Sequence, residues 1–243
     1  MTTIDTTTAR TTRRFYVAMA IAITVIVFIG FAPSFYLKDV IHAPPPLSDL
    51  TRLHGVIFTS WLALFIAQTS LVARNRTDLH MMLGIAGAVL AAIIFALGLY
   101  TGIMAGKLGH APPGAPPPIP FMAVPIFGII GFAVLIVTAL LNRQKAPEVH
   151  KRAMLMASIM MTQPAFGRYP LPFGAGELGL PFAYGGSDLL LLIAMAYDYR
   201  TMKRVHPAYL WGAVLIVGIQ VLTIVAVQTQ AWTDFATWLT TLV

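Results

Sequence analysis

The chain has 243 residues, of which 58% are apolar and only 10% charged, with a formal net charge of +7 and no cysteine. That balance excludes a solvated monomeric globule and places the chain in a bilayer. The missing thiols exclude disulfides, thiol-attached haem, thiolate-bound clusters and a cysteine nucleophile, while histidine, carboxylate and methionine chemistry stays open.

In chain order, residues 1–14 read as a disordered basic tail with Arg10, Arg13 and Arg14, and a first apolar helix follows over Phe15–Leu37. Its run is too long for a signal-peptide core, and Pro33 follows Ala32, the only plausible cleavage point, so it reads as a retained helix. Six more helices are expected at Thr51–Ala73, Leu79–Met104, Phe121–Asn142, Lys151–Phe166, Phe182–Tyr199 and Pro207–Gln228. Each is near the roughly 20 residues that cross a bilayer, although Pro164 interrupts the fifth and the apolar run of the sixth begins only around Leu189. The stretches "IHAPPPLSD" and "GKLGHAPPGAPPPIP" read as extended, polyproline-like connectors. Over residues 230–243, Trp232, Phe235, Leu239 and Leu242 recur at helical spacing, which suits an amphipathic helix in the interface. The expected fold is therefore all-α, a seven-helix membrane bundle over residues 15–229.

A net positive charge points to nucleic acid in a soluble protein, but in a membrane protein basic residues are first topology markers. With a cytoplasmic N-terminus, the inner segments hold Arg10, Arg13, Arg14, Arg74, Arg76, Arg143, Lys145, Lys151, Arg152, Arg200, Lys203 and Arg204. Lys38, Arg52, Lys107 and Arg168 remain for the outer side, a 12 to 4 division that alternates loop by loop and supports both the helix count and the orientation, and the odd number of helices puts the C-terminus outside.

A cadence recurs three times at the inner side: arginine ends one helix and histidine begins the next, in "RNRTDLH", "RQKAPEVH" and "RTMKRVH". Helices two to seven thus read as three hairpins. His80, His150 and His206 have an ordinary explanation as interfacial residues near helix N-termini, where Thr77, Asp78, Pro147, Glu148 and Pro207 supply capping chemistry. In the alternative, His80 and His150 lie at similar depth and face one another as ligands of a b-type haem, because neutral imidazole is the form that binds metal.

On the outer side, His54 lies inside the second helix, where an ionisable group commonly marks a site. Gln163, Arg168 and Asp188 fall at the same end, so His54, Gln163, Arg168 and Asp188 form an expected buried polar cluster. Arg168 is the natural ion-pair partner of Asp188, and a purely structural pair is the competing reading. "GLYTG" and "GIIG" suit close helix packing, and Met154, Met156, Met160 and Met161 suit core filling better than Cu(I) binding. No phosphate-cradling loop, HExxH motif, nucleophile elbow or dense histidine–carboxylate metal set is present in the sequence.

The stretches Leu53–Gly87, His150–Pro170 and Asp188–Gly212 resemble an uncharacterised family of bacterial multi-pass inner-membrane proteins. More distantly, the arginine, histidine and apolar-helix cadence is similar to membrane proteins of cytochrome oxidase assembly and to two-haem cytochrome b reductases. The reductases would imply a histidine pair at each side of the membrane, whereas this chain has one intramembrane outer histidine and three inner ones. Three functional readings follow: a haem-binding redox or respiratory-assembly protein served by quinol or a respiratory-complex protein, a non-redox small-molecule or proton transporter using His54 and Asp188, and a structural subunit.

Overall fold

The computed structural model describes residues 6–41 and 46–243, with side chains from residue 11 onward. His42, Ala43, Pro44 and Pro45 of the first proline-rich connector therefore lie outside the described residues. Helix α1 (Thr6–Phe31) begins nine positions before the expected Phe15, so the basic segment is helical from Thr6. Pro33 cannot donate to an α-helical ladder, and the chain widens into a π-helical turn over Ala32–Tyr36 before the short α2 (Lys38–Ile41). Helix α3 (Asp49–Ala73) is capped by the Ser48 hydroxyl, which accepts from the Thr51 N–H at 3.2 Å. Helix α4 (Thr77–Lys107) carries Asp78 in its first turn and Lys107 in its last, charges that complement the helix dipole.

The second proline-rich connector leads into α5 (Pro118–Phe121) and α6 (Ala123–Asn142). Then come α7 (Pro147–Met160), α8 (Gln163–Phe166), α9 (Gly179–Met202), α10 (Pro207–Ala226) and α11 (Gln230–Thr240). The described residues contain no strand. Among the described residues, six helical stretches are long and apolar enough to cross a membrane: Thr11–Tyr36, Asp49–Ala73, Thr77–Lys107, Pro118–Asn142, Gly176–Met202 and Pro207–Ala226.

The expected fifth helix is divided. Pro164 has no N–H for the Met160 carbonyl, and the helix opens at Met161 and Thr162 between α7 and α8. Alone, α7 has 14 residues, which at about 1.5 Å each is about 21 Å, short of a hydrocarbon core of about 30 Å. Protein surrounds its second half instead: Ala153, Leu155, Met156, Ala157, Ser158 and Ile159 are all at 0% exposure, and Met154 is part-buried. Helices α1, α6, α9 and α10 pack on α7, while α1 and α9 hold α8. The grip on α8 is close: a Cβ added at Gly30 would stand 2.6 Å from the Ala165 carbonyl oxygen, and one at Gly186 would enter the Phe166 ring. These two glycines let α1 and α9 close on α8 from either side.

One end of the bundle gathers the basic turns. There the Arg13 guanidinium donates to Asn75 Oδ1, Phe15 stacks on Tyr197 at 3.8 Å, and His80 faces His150. The start of α1 and the turns α3–α4, α6–α7 and α9–α10 therefore share one end, as the arginine–histidine cadence predicts. At the opposite end Lys107 Nζ donates to the Val243 carbonyl. Trp232 of α11 donates its indole N–H to the Pro120 carbonyl at 2.9 Å and packs with Phe127. Helix α11 thus docks on α4 and α5 through Trp232 and Ala236, and leaves Phe235, Trp238 and Leu242 exposed.

Candidate functional site

At the basic end, the imidazoles of His80 and His150 approach with ring centroids 6.3 Å apart and planes at 80°. His80 lies in the first turn of α4 and His150 in the first turn of α7; α6, which packs on both helices, brings them together. Local backbone chemistry orients His150. The α6 C-terminus tightens, with the Arg143 N–H reaching Leu140 at 3.4 Å, and the Ala139 carbonyl is free to accept from His150 Nδ1 at 2.9 Å. A carbonyl only accepts, so Nδ1 carries the hydrogen and the Nε2 lone pair of the neutral ring is left for a ligand.

His80 is held differently. Its Nδ1 is buried without a hydrogen-bond partner, and so is Gln68 Oε1 on the facing α3. Gln68 Nε2 lies 3.8 Å from the Cβ position of Gly84, one turn beyond His80 on the same face of α4, and the Gln68 backbone carbonyl also lies against the imidazole. One unmet donor or acceptor and one unmet acceptor thus sit on neighbouring side chains, a pairing that buried polar groups rarely leave open. Gln68 carries no motif; its only signal in the sequence is an amide within an apolar helix.

Between α7 and α9 lies a second constellation. Arg152, 2% exposed, donates Nε to Asp198 Oδ2 at 2.8 Å and Nη2 to Oδ1 at 2.7 Å. Its Nη1 donates to the Glu148 carbonyl at 2.9 Å and to the Glu148 carboxylate at 2.6 Å. Asp198 also accepts the His206 backbone N–H at 3.3 Å, so the first turn of α10 is tied to the same carboxylate. The guanidinium lies 5.6 Å from the Tyr209 ring centre, and the buried Tyr209 hydroxyl faces Tyr16 outside hydrogen-bond geometry. His206 accepts the Ala208 N–H at its Nδ1, 3.0 Å away, and so caps α10. Burial and the Arg152 guanidinium hold this imidazole below its ordinary range, which keeps the accepting nitrogen free of a proton. Sequence reasoning counted Arg152 as an inner loop charge and passed over Asp198. The available signal was two opposite charges inside expected helices at the same end.

At the opposite end, the four residues expected to cluster are dispersed over different partners. His54 Nδ1 meets the Thr101 hydroxyl of α4 at 3.2 Å, and its ring stacks on Phe58 at 4.0 Å. Arg168 donates to the Pro164 carbonyl at 2.7 Å and lies 4.1 Å over the Phe31 ring, within electrostatic range of His54. Gln163 Nε2 donates to Ser187 Oγ at 3.2 Å. Asp188 takes its hydrogen bond from Gln220 Nε2 at 2.8 Å, not from Arg168. Among the described residues no ion pair joins Arg168 to Asp188. The physical reason is the break before Pro164: it turns Arg168 back onto the freed carbonyl of α8 and toward α1, while Asp188 faces α10.

Among the described residues, no three histidine, aspartate or glutamate side chains come together as a metal-binding group. Compared with protein-family models, curated proteins and solved structures, the chain matches none. What the geometry defines is a multi-pass helical membrane protein with a two-histidine end, a buried ion pair beside it, and separate polar contacts around the broken central helix.

Proposed function

We propose that the chain is a redox or respiratory-assembly protein of the bacterial inner membrane whose His80 and His150 hold a b-type haem near the cytoplasmic face. The observation that carries the reading is the 6.3 Å approach of the two imidazoles. Two metal–nitrogen bonds of about 2 Å together with the two ring radii span a distance of this size. With only two protein donors, a bare ion would lack most of its coordination shell, whereas a macrocycle supplies the remaining four positions. His150 already has the outer support that ligating histidines need, in the Ala139 carbonyl. For His80 Nε2 to be engaged it would turn from the Gln68 backbone carbonyl, and Gln68 Oε1 would then be the natural acceptor for Nδ1–H. Arg74, Arg143 and Lys145 in the adjacent turns would supply cations for haem propionates, whereas Arg76 is paired with Asp78.

A bound haem would supply one-electron chemistry, with a quinol or a respiratory-complex protein as its electron donor. His80 and His150 would hold it and the surrounding helices would give it a low-dielectric shell. The test is the reduced absorption spectrum of the protein purified in detergent. His80→Ala and His150→Ala should each broaden or abolish a sharp α band, while His110→Ala, in the exposed connector at the opposite end, should leave it unchanged. Protein that stays colourless after growth with added haem precursor contradicts the reading.

A further inference from the structure

We infer that Asp188 is a proton-binding site within the membrane span, approached from the α8 end by a polar seam between α9 and α10. This inference uses no residue of the two-histidine site and stands whether or not haem binds.

Asp188 is close to the middle of the apolar stretch Gly176–Met202, and Gln220 lies in the second half of α10. Asp188, itself part-buried, accepts at Oδ1 from Gln220 Nε2 at 2.8 Å, and Gln220 is 6% exposed. No cation offsets the carboxylate among the described residues. A lone carboxylate in hydrocarbon is strongly unfavourable, so it takes either a proton or a small cation. Of these two, the neighbouring side chains suit the proton better than a metal cation. Gln220 presents its amide nitrogen to the carboxylate, Gln163 presents its own to Ser187, and the Ser187 hydroxyl donates to the Tyr184 carbonyl at 2.9 Å. A metal cation needs oxygen ligands turned toward it, and these side chains turn donors instead.

The seam runs one way. Ser187, Gln220 and Thr223 are buried, and the Tyr184 hydroxyl faces Thr223 one turn nearer the α8 end. Toward the basic end, Leu189 to Ala196 of α9 are all apolar. The charged and titratable groups on the packed elements are otherwise engaged. Arg168 beyond α8 is held by Pro164 and Phe31, Arg152 of α7 by Asp198 and Glu148, Glu177 before α9 is exposed, and α10 offers Gln220 and Thr223 here, its Tyr209 lying beside Arg152 at the basic end. Uptake forms one O–H bond on Oδ2, the oxygen that Gln220 does not face, and release breaks it.

The test uses the full chain in lipid nanodiscs. Dicyclohexylcarbodiimide, which attacks protonated carboxyls in apolar surroundings, should modify Asp188 as mapped by mass spectrometry, several-fold more slowly at alkaline pH and independently of sodium. This readout needs no variant. In infrared difference spectra between acid and alkaline pH, a carboxylic C=O band should be present in the wild type, absent in Asp188→Asn and shifted in Gln220→Leu. An unmodified Asp188, a band unchanged in Asp188→Asn, or protection by sodium at constant pH would each overturn the assignment.

Discussion

Arg152 and Asp198 stand 46 positions apart in the chain and meet through two parallel hydrogen bonds in the bundle interior, at 2.8 and 2.7 Å. Both side chains are almost sealed, at 2% and 4% exposure. The bidentate geometry fixes the rotation of α7 against α9, and the His206 N–H on the same carboxylate ties in α10. The pair therefore sets the angle at which α7 presents His150, two residues earlier.

Removing one partner leaves a buried charge unpaired. Asp198→Asn is expected to destabilise the protein by about 3–5 kcal/mol, and Arg152→Met combined with Asp198→Leu to recover most of that loss. Unfolding of the single and double variants in detergent measures both. Equal stability of Asp198→Asn and wild type would show that the pair does not fix the bundle.

The α10 cap gives a pH dependence with a definite sign. His206 has its folded pKa below the unfolded value of about 6.5, so its contribution is full above that value and is lost as the pH falls through the folded one. Protonation also removes the acceptor for the Ala208 N–H, a cap contact of about 1 kcal/mol. The wild-type Tm should fall between pH 7 and 5. In His206→Asn, where the cap accepts hydrogen bonds at any pH, that fall should be smaller.

Close approach around α8 predicts a contrast between two glycines. Gly30→Leu forces α1 away from Ala165, with an expected destabilisation of about 1–3 kcal/mol. Gly128→Leu meets no atom within 4 Å of its new Cβ and should be nearly neutral. Thermal unfolding of the two variants side by side decides whether α8 is clamped as described.

Much of this architecture is legible because hydrocarbon imposes it. Long apolar runs, Pro-rich connectors and the recurring arginine–histidine turns place the helices and group their ends, and the same cadence brings His80 to His150. What stays hidden depends on helix rotation. Periodicity says nothing about whether Asp188 faces Arg168 or Gln220, because α9 is apolar on nearly every side. The break before Pro164 is foreseeable, but its consequence for Arg168 is not, since it depends on which carbonyl the opened turn leaves free. Arg152 misleads for a similar reason: a basic residue two positions after a loop reads as a topology marker until Asp198 is found beside it.

Orientation rests on the basic residues gathered at the His80 end. Single cysteines replacing Arg76, Lys145 and Arg204 in this cysteine-free chain should resist an impermeant thiol reagent applied outside intact cells. Cysteines replacing Leu108 and Glu177 should react. The opposite pattern would invert the bundle and put the two-histidine site at the periplasmic face.

The most direct test of the central claim is the haem content of the full-length protein, purified from cells supplied with a haem precursor and assayed as the pyridine haemochrome. Binding by His80 and His150 predicts about one haem b per chain in a six-coordinate, low-spin state, and near-complete loss in the His80→Ala, His150→Ala double variant. A ratio near zero in the wild type, or an unchanged ratio in the double variant, would contradict it.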